Sequence, residues 1–347
     1  MMQVDAGVTL AEGGWLAAAN YLGYLIGSLW AMVQRARADH AIRSALVITS
    51  VATLAMAFAE GLAAWLAWRT LAGIASAWVL IHMGTWCAQR LASLGRPALT
   101  SVVFAGVGAG VMLAGALCLA LMTAGAGSRT AWLWLGAIGV VISTLVWPVV
   151  VADENAAPST AFADYRWTPD TVRLVVCYGA FGIGYIIPAT FVPVMAKQVI
   201  DDPAVFGWAW PVFGAAAVAS TLAAGALERV LSGRRLWMAS ACIMALGVAS
   251  PLVIDGLGGI LACALLVGGT FVVATLAGVR VAREVAGGAA HVLLAAMTAA
   301  FAATQVLGPL VVSFLARQSG GINAALLLAF AVLAASAAAL MIPLRDR

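Results

Sequence analysis

Charge is what this sequence has least of: 18 Lys and Arg with 14 Asp and Glu make up only 9% of its 347 residues. A soluble domain carries about 25%, so an ordinary water-facing surface is excluded. Cysteine is scarce as well. Cys87, Cys118, Cys177, Cys242 and Cys263 lie in or beside apolar runs, with no CxxC pair and no histidine at metal spacing. A disulfide framework and a thiolate metal centre are thereby excluded, and the thiols read as small apolar side chains. No metal and no cofactor is expected. The sequence shows no nucleophile beside a base, no metal-spaced acids and no Gly-rich Lys phosphate loop, so enzyme and ATP-driven pump chemistry are both missing. Met1–Gly13 has no basic n-region and carries Asp5 and Glu12, which argues against a cleaved signal peptide.

What fills the chain is oil: 64% of residues are hydrophobic and the mean hydropathy is +1.04. The apolar runs are continuous, rich in Ala, Leu, Gly and Val, and roughly twenty residues long, the length a helix needs to cross about 30 Å of hydrocarbon. Membrane barrels alternate apolar and polar residues instead, so helices are the remaining spanning solution. The fold class is all-α, a polytopic membrane protein in contact with the lipid bilayer. The net charge of +4 sits in short loops between spans, where it sets orientation rather than binding nucleic acid.

Polar breaks predict spans near Gly14–Val33, Ser44–Ala59, Ala63–Ala88, Ala98–Thr123, Thr130–Val151, Val172–Ala196, Ala204–Leu227, Leu236–Ile254, Leu257–Val279, Ala289–Leu315 and Ile322–Ile342. The longest wet stretch, Ala152–Asp170, divides them. Residues 1–151 form a bundle of five spans, 152–171 a linker and 172–347 a bundle of six. With alternate loops on alternate sides, fourteen cations fall on one side, Arg129, Lys197 and Arg317 on the other, and Arg69 inside a span. That asymmetry makes the linker and the C-terminus cytoplasmic and the N-terminus external.

The halves repeat each other. Gly14-Trp15 opens a span that runs into the basic loop Arg35–Arg43, and Gly207-Trp208, offset by 193 residues, opens one that runs into Arg229–Arg235. The same offset carries Met195 onto Met2. The helix Val172–Met195 then has no counterpart, so an opening helix is expected to be missing from the first half, for instance through a misplaced start codon.

Two bundles, a cytoplasmic linker and basic loops after paired helices resemble the major facilitator superfamily. Trp15-Leu-Ala-Ala-Ala-Asn20-Tyr21-Leu-Gly23-Tyr24-Leu-Ile-Gly27 and Tyr178-Gly-Ala-Phe-Gly182-Ile-Gly184-Tyr185-Ile-Ile-Pro188-Ala-Thr190-Phe-Val-Pro193 look like signature helices of its bacterial YbfB/YjiJ-like branch. The resemblance implies twelve helices in the complete fold, and a first helix before the segment like Met2–Asp5. It also implies a monomer in the bacterial inner membrane that moves a small organic solute by alternating access, with a proton as possible partner. Departures are clear. Gln34–Arg43 keeps Arg35, Arg37, Asp39 and Arg43 without the family-wide Gly-x-x-x-Asp-Arg pattern, and Ala98–Thr123 lacks the Gly-Pro pair linked with antiport. The equivalent loop of the second half carries Arg229, Arg234 and Arg235, and both loops are gating candidates.

Arg69 is the most informative residue. It lies about six residues inside a span, roughly 9 Å at helical rise, where an arginine costs up to about 3 kcal/mol at the centre of a helix. It reads as a functional ion facing a cavity, or as a side chain snorkelling to the interface. Its spacing to Gly73 resembles the superfamily's fourth-helix motif. Asn20 and Tyr24 share one helix face, Tyr178 and Tyr185 another, and Thr298 and Gln305 a third. With Thr190, these polar stripes either line a midplane site or glue helices together. Gly23/Gly27 and Gly106/Gly110 read as close-packing faces, and Pro188, Pro193 and Pro309 as hinges. No Asp or Glu lies deep in a span, and only His82 and His291 approach one. Proton coupling then falls to the missing helix or indirectly to Arg69, or the protein is a facilitator. The alternatives to a transporter are a truncated pseudo-transporter or membrane sensor and, with less support, a membrane-embedded enzyme.

Overall fold

A computed structural model describes residues 1–34, 37–151, 165–199, 207–227, 230–316 and 321–343. Arg35, Arg229 and most of the linker lie outside them, as do the side chains of Thr190, Pro193 and Pro309. Among the described residues there are eleven long helices and no strand. They are α1 (Leu10–Val33), α2 (Ala38–Ala55), α3 (Leu62–Ser93), α4 (Thr100–Thr123), α5 (Ser128–Val146), α6 (Pro169–Val199), α7 (Ala209–Leu227), α8 (Gly233–Val253), α9 (Gly256–Ala286), α10 (Ala290–Ala316) and α11 (Gly321–Met341).

Each helix overlaps one expected span, and the ends differ for physical reasons. Hydropathy marks the oily length, whereas α9 continues through Arg280, Arg283 and Glu284, with Arg280 Nε 2.8 Å from the Glu284 carboxylate one turn on. Polar first turns extend other helices. The Thr9 hydroxyl accepts from the Glu12 N–H at 3.2 Å while the Glu12 carboxylate accepts from the Thr9 N–H at 2.8 Å, a capping box that starts α1 before Gly14. The tight loop before α3 turns on Gly61, whose φ of 81° suits glycine. Nine stretches among the described residues are long and apolar enough to cross a membrane, one of them covering α9 and α10 together. α2 is outside that set because Asp39, His40 and Arg43 open it.

The packing repeats. α1 lies on α3, and α7 on α9; α2 touches α3 and α5, and α8 touches α9 and α11. Between the bundles, α4 packs on α7 and α1 on α10. α6 packs on α9, α10 and α11. The equivalent place in the first bundle, against α3, α4 and α5, is filled by no helix among the described residues. Two of those helices stay bare: 17% of the α4 stretch and 11% of the α5 stretch is buried, whereas α3, covered by α1 and α2, is 61% buried.

Glycines decide how closely helices approach. A Cβ at Gly23 or Gly73 would collide with the backbone of Thr70 or Asn20, so α1 and α3 meet backbone to backbone, as the small-residue reading expects for Gly23/Gly27. Gly106 and Gly110 instead face open space. The α4 contact is made by Gly108 against Ala217 and by Gly115 against Trp210 and Pro211. Several hydroxyls inside spans are satisfied within their own helix, Ser28 donating to the Tyr24 carbonyl at 2.7 Å and Thr298 to the Leu294 carbonyl at 2.7 Å.

Candidate functional site

The two bundles meet around tyrosines. Tyr21 and Tyr24 of α1 pack against the apolar core of the second bundle, which contains Tyr178, Phe181 and Phe301. Tyr185 stacks on Phe271 of α9 with centroids 4.3 Å apart, Phe181 lies 5.0 Å from Phe301, and Tyr178 meets Trp237 edge-on at 5.6 Å. Tyr21, Tyr24, Tyr178 and Tyr185 thus pack into or against one core where the bundles meet.

Arg69 points into the first bundle. Its guanidinium carbon lies 5.9 Å from the Trp132 ring of α5, within cation–π range. Among the described residues no carboxylate comes within ion-pair reach of it, and Tyr21 is the ionisable group that acts on it. Arg69 is half-buried there, beside an aromatic ring.

The other candidates fall in several places. Tyr178 is 1% exposed, its ring enclosed by Phe181, Trp237 and Phe301. Thr298 and Gln305 are buried on α10. Asn20 is half-buried on α1, where its carbonyl meets Gly73. Thr304, which sequence reasoning passed over, does what was considered for its neighbour: its hydroxyl donates to the Gly179 carbonyl of α6 at 2.9 Å. Pro188 is buried in α6 and lines a small apolar cavity with Phe213 and Cys263. Pro251, inside α8, is a further helix-internal proline.

The basic loops hold helix ends. Arg37 Nε lies 3.2 Å from the Asp39 carboxylate. Although burial pushes that carboxyl up, the hydrogen bond and charge of Arg37 and the nearby His40 hold it below the ordinary carboxylate value. Arg43 donates to the Trp147 carbonyl at 3.3 Å at the end of α5, and Arg234 donates to the Ile342 carbonyl at 2.9 Å at the end of α11. Cations there complement the negative end of each helix. Arg235 is exposed. The loop side chains therefore bind the last helix of their own bundle.

This arrangement, two helical bundles repeating one packing pattern around a buried aromatic and cationic centre, defines a membrane transporter fold. Solved structures agree. The crystal structure of the human organic anion transporter MFSD10 (TETRAN) superposes with a TM-score of 0.71 at 16% identity, covering 94% of this chain and 83% of that one. The outward conformation of the major facilitator superfamily transporter FucP gives 0.73 at 12% identity, covering 95% and 90%. Curated protein sequences contain no match. A family model described as "Uncharacterised MFS-type transporter YbfB" matches residues 1–341, and the chain belongs to that family.

Proposed function

We propose that the protein is a secondary transporter of a small organic anion, with Arg69 as the anchor of its negative charge and Tyr21, Tyr24, Tyr178 and Tyr185 as hydroxyl contacts. The observation that carries this reading is the guanidinium of Arg69, which lacks a carboxylate partner among the described residues and is coupled to Tyr21. An anion binding there replaces a desolvated lone charge with a charge-assisted hydrogen bond. Transport proceeds by rocking the bundles about the tyrosine layer. The protein sits in a bacterial inner membrane with the basic loops facing the cytoplasm, and Arg37, Asp39, Arg43, Arg234 and Arg235 hold the gate at that face.

The test uses proteoliposomes and a panel of radiolabelled small carboxylates, each paired with its uncharged amide. Wild-type protein takes up at least one carboxylate and not its amide, and Arg69→Gln lowers that uptake at least tenfold at unchanged membrane abundance. Uptake by Arg69→Gln at the wild-type rate overturns the reading. The second reading, a sensor, draws on the bare faces of α4 and α5: stabilisation of purified protein by a carboxylate, lost in Arg69→Gln, without uptake of any probe, would favour it.

A further inference from the structure

Where the two bundles meet at the end that carries the basic loops, they leave a cavity of about 660 Å³. Both bundles line it. From the first come Gln89 of α3, beyond the π-helical turn that α3 makes at Val79–Met83, and Thr100 at the start of α4. From the second come Arg280, Arg283 and Glu284 of α9, and Gly288 in the turn before α10.

Two helices begin at this cavity, one from each bundle. α4 is entered through a tight 3-10 turn at Pro97–Leu99 and α10 through one at Gly287–Ala289, and both turns contribute to the lining. Neither turn has a side-chain cap, and neither α4 nor α10 has an acid in its first turn. Other helices of the chain are capped: Thr9 and Glu12 close α1, and the Ser232 hydroxyl accepts from the Arg235 N–H at α8. The positive ends of α4 and α10 therefore meet at one space with nothing negative on their own first turns.

The side chains there are of a matching kind. Arg280 is engaged, its Nε 2.8 Å from the Glu284 carboxylate and its guanidinium donating to the Leu231 carbonyl at 3.3 Å. Glu284 is thus answered within α9. Arg283, one turn before Gly287, is half-buried and enters no ion pair or hydrogen bond among the described residues. Thr100 is 8% exposed, and its hydroxyl likewise has no partner among the described residues, whereas those of Thr85 and Thr298 bond within their own helices. A hydroxyl that short of water is costly without a partner, and the cavity is where one fits.

We infer that this cavity is a phosphate site: a phosphate monoester bound there, free in solution or as the headgroup of an anionic lipid, ties the two bundles together. The charges agree. Arg280, Arg283 and Glu284 leave a surplus of one cation, and each helix end adds about half a positive charge, against about −1.5 to −2 on a phosphate monoester near pH 7. The donors agree as well, since Arg283 and the α10 turn come from one bundle and Thr100 and the α4 turn from the other, enough for several oxygens at once. A carboxylate, with one charge and two oxygens, leaves part of that set unanswered. The site is separate from the solute centre: Gln89 follows Arg69 by twenty residues, roughly 30 Å at helical rise.

The test measures unfolding midpoints of the full-length protein in phosphatidylcholine nanodiscs titrated with inorganic phosphate and with phenyl phosphate, and in nanodiscs with increasing phosphatidic acid. At least one source raises the wild-type midpoint saturably, the soluble probes pointing to a dissolved phosphate and phosphatidic acid alone to a lipid headgroup. Arg283→Gln weakens the apparent affinity at least tenfold and Thr100→Val at least threefold. Gly288→Asp guards against a folding defect in those two, because a Cβ there meets nothing within 4 Å. Its carboxylate stands at the positive end of α10, so it raises the midpoint without ligand while abolishing the response to phosphate. No response of the wild type to any source, or an equal response in Arg283→Gln and Gly288→Asp, overturns the proposal. Phosphate stabilisation without carboxylate uptake removes the anion carrier reading alone, and carboxylate uptake without phosphate stabilisation removes this site alone.

Discussion

Arg69, half-buried in α3, and Asp39, buried at the start of α2, differ in what they hold. Asp39, 6% exposed, already has Arg37. Because its carboxyl is held below the ordinary value of about 4, it remains ionised in the folded protein where the unfolded chain begins to take up protons. Its contribution is complete above that value and is lost as pH falls through the lower, folded one. Melting curves in detergent from pH 7 to pH 3 should therefore show an acid limb that Asp39→Asn flattens. Arg69 was legible in the sequence because it is the one cation inside an apolar run. Its surroundings were not: Tyr21 is 48 positions away and Trp132 is 63, and only the tertiary fold brings them together. The stripes of Tyr, Asn, Thr and Gln showed which faces were polar but not which hydroxyl crossed to another helix, as that of Thr304 does to α6.

At the scale of helices, the α1–α3 seam is the least forgiving contact. A Cβ at Gly73 meets the carbonyl of Asn20, and backbone cannot step aside as a flexible side chain can. Gly73→Val should destabilise the protein by about 1–3 kcal/mol, the usual cost of overpacking, whereas Gly110→Ala, with nothing near its Cβ, should be neutral or stabilise by up to about 1 kcal/mol. Unfolding midpoints in detergent separate the two. The spacing of Gly106 and Gly110 is as regular as that of Gly23 and Gly27, and sequence alone gave them the same role. What distinguishes them is whether another helix lies opposite, which no local pattern encodes. The spans themselves were readable from hydropathy, whereas the π turn at Val79–Met83 was not, because its residues are apolar and helix-compatible like their neighbours.

For the molecule as a whole, the repeat seen in the Gly-Trp pairs reappears as a repeat of packing, and α4 with α7 forms one of the two seams that join the bundles. At its far end a Cβ on Gly115 would lie 3.0 Å from that of Trp210, so a small outward shift of the two backbones brings the pair to the roughly 3.5–4.5 Å that a disulfide spans. Gly115→Cys with Trp210→Cys should therefore cross-link under mild oxidation, detectable by mass spectrometry, and solute uptake should fall at least tenfold and return on reduction. Unimpaired uptake by the cross-linked protein would mean that this end does not separate during the cycle. Ser101 meets Gly225 at the other end, so α4 follows α7 along its whole length while touching α3 and α5 far less. In the resting arrangement α4 is thus held more by α7 than by its neighbours α3 and α5, and the short turn at Leu94–Arg96, with Gly95 at φ 68°, is its covalent link back to α3.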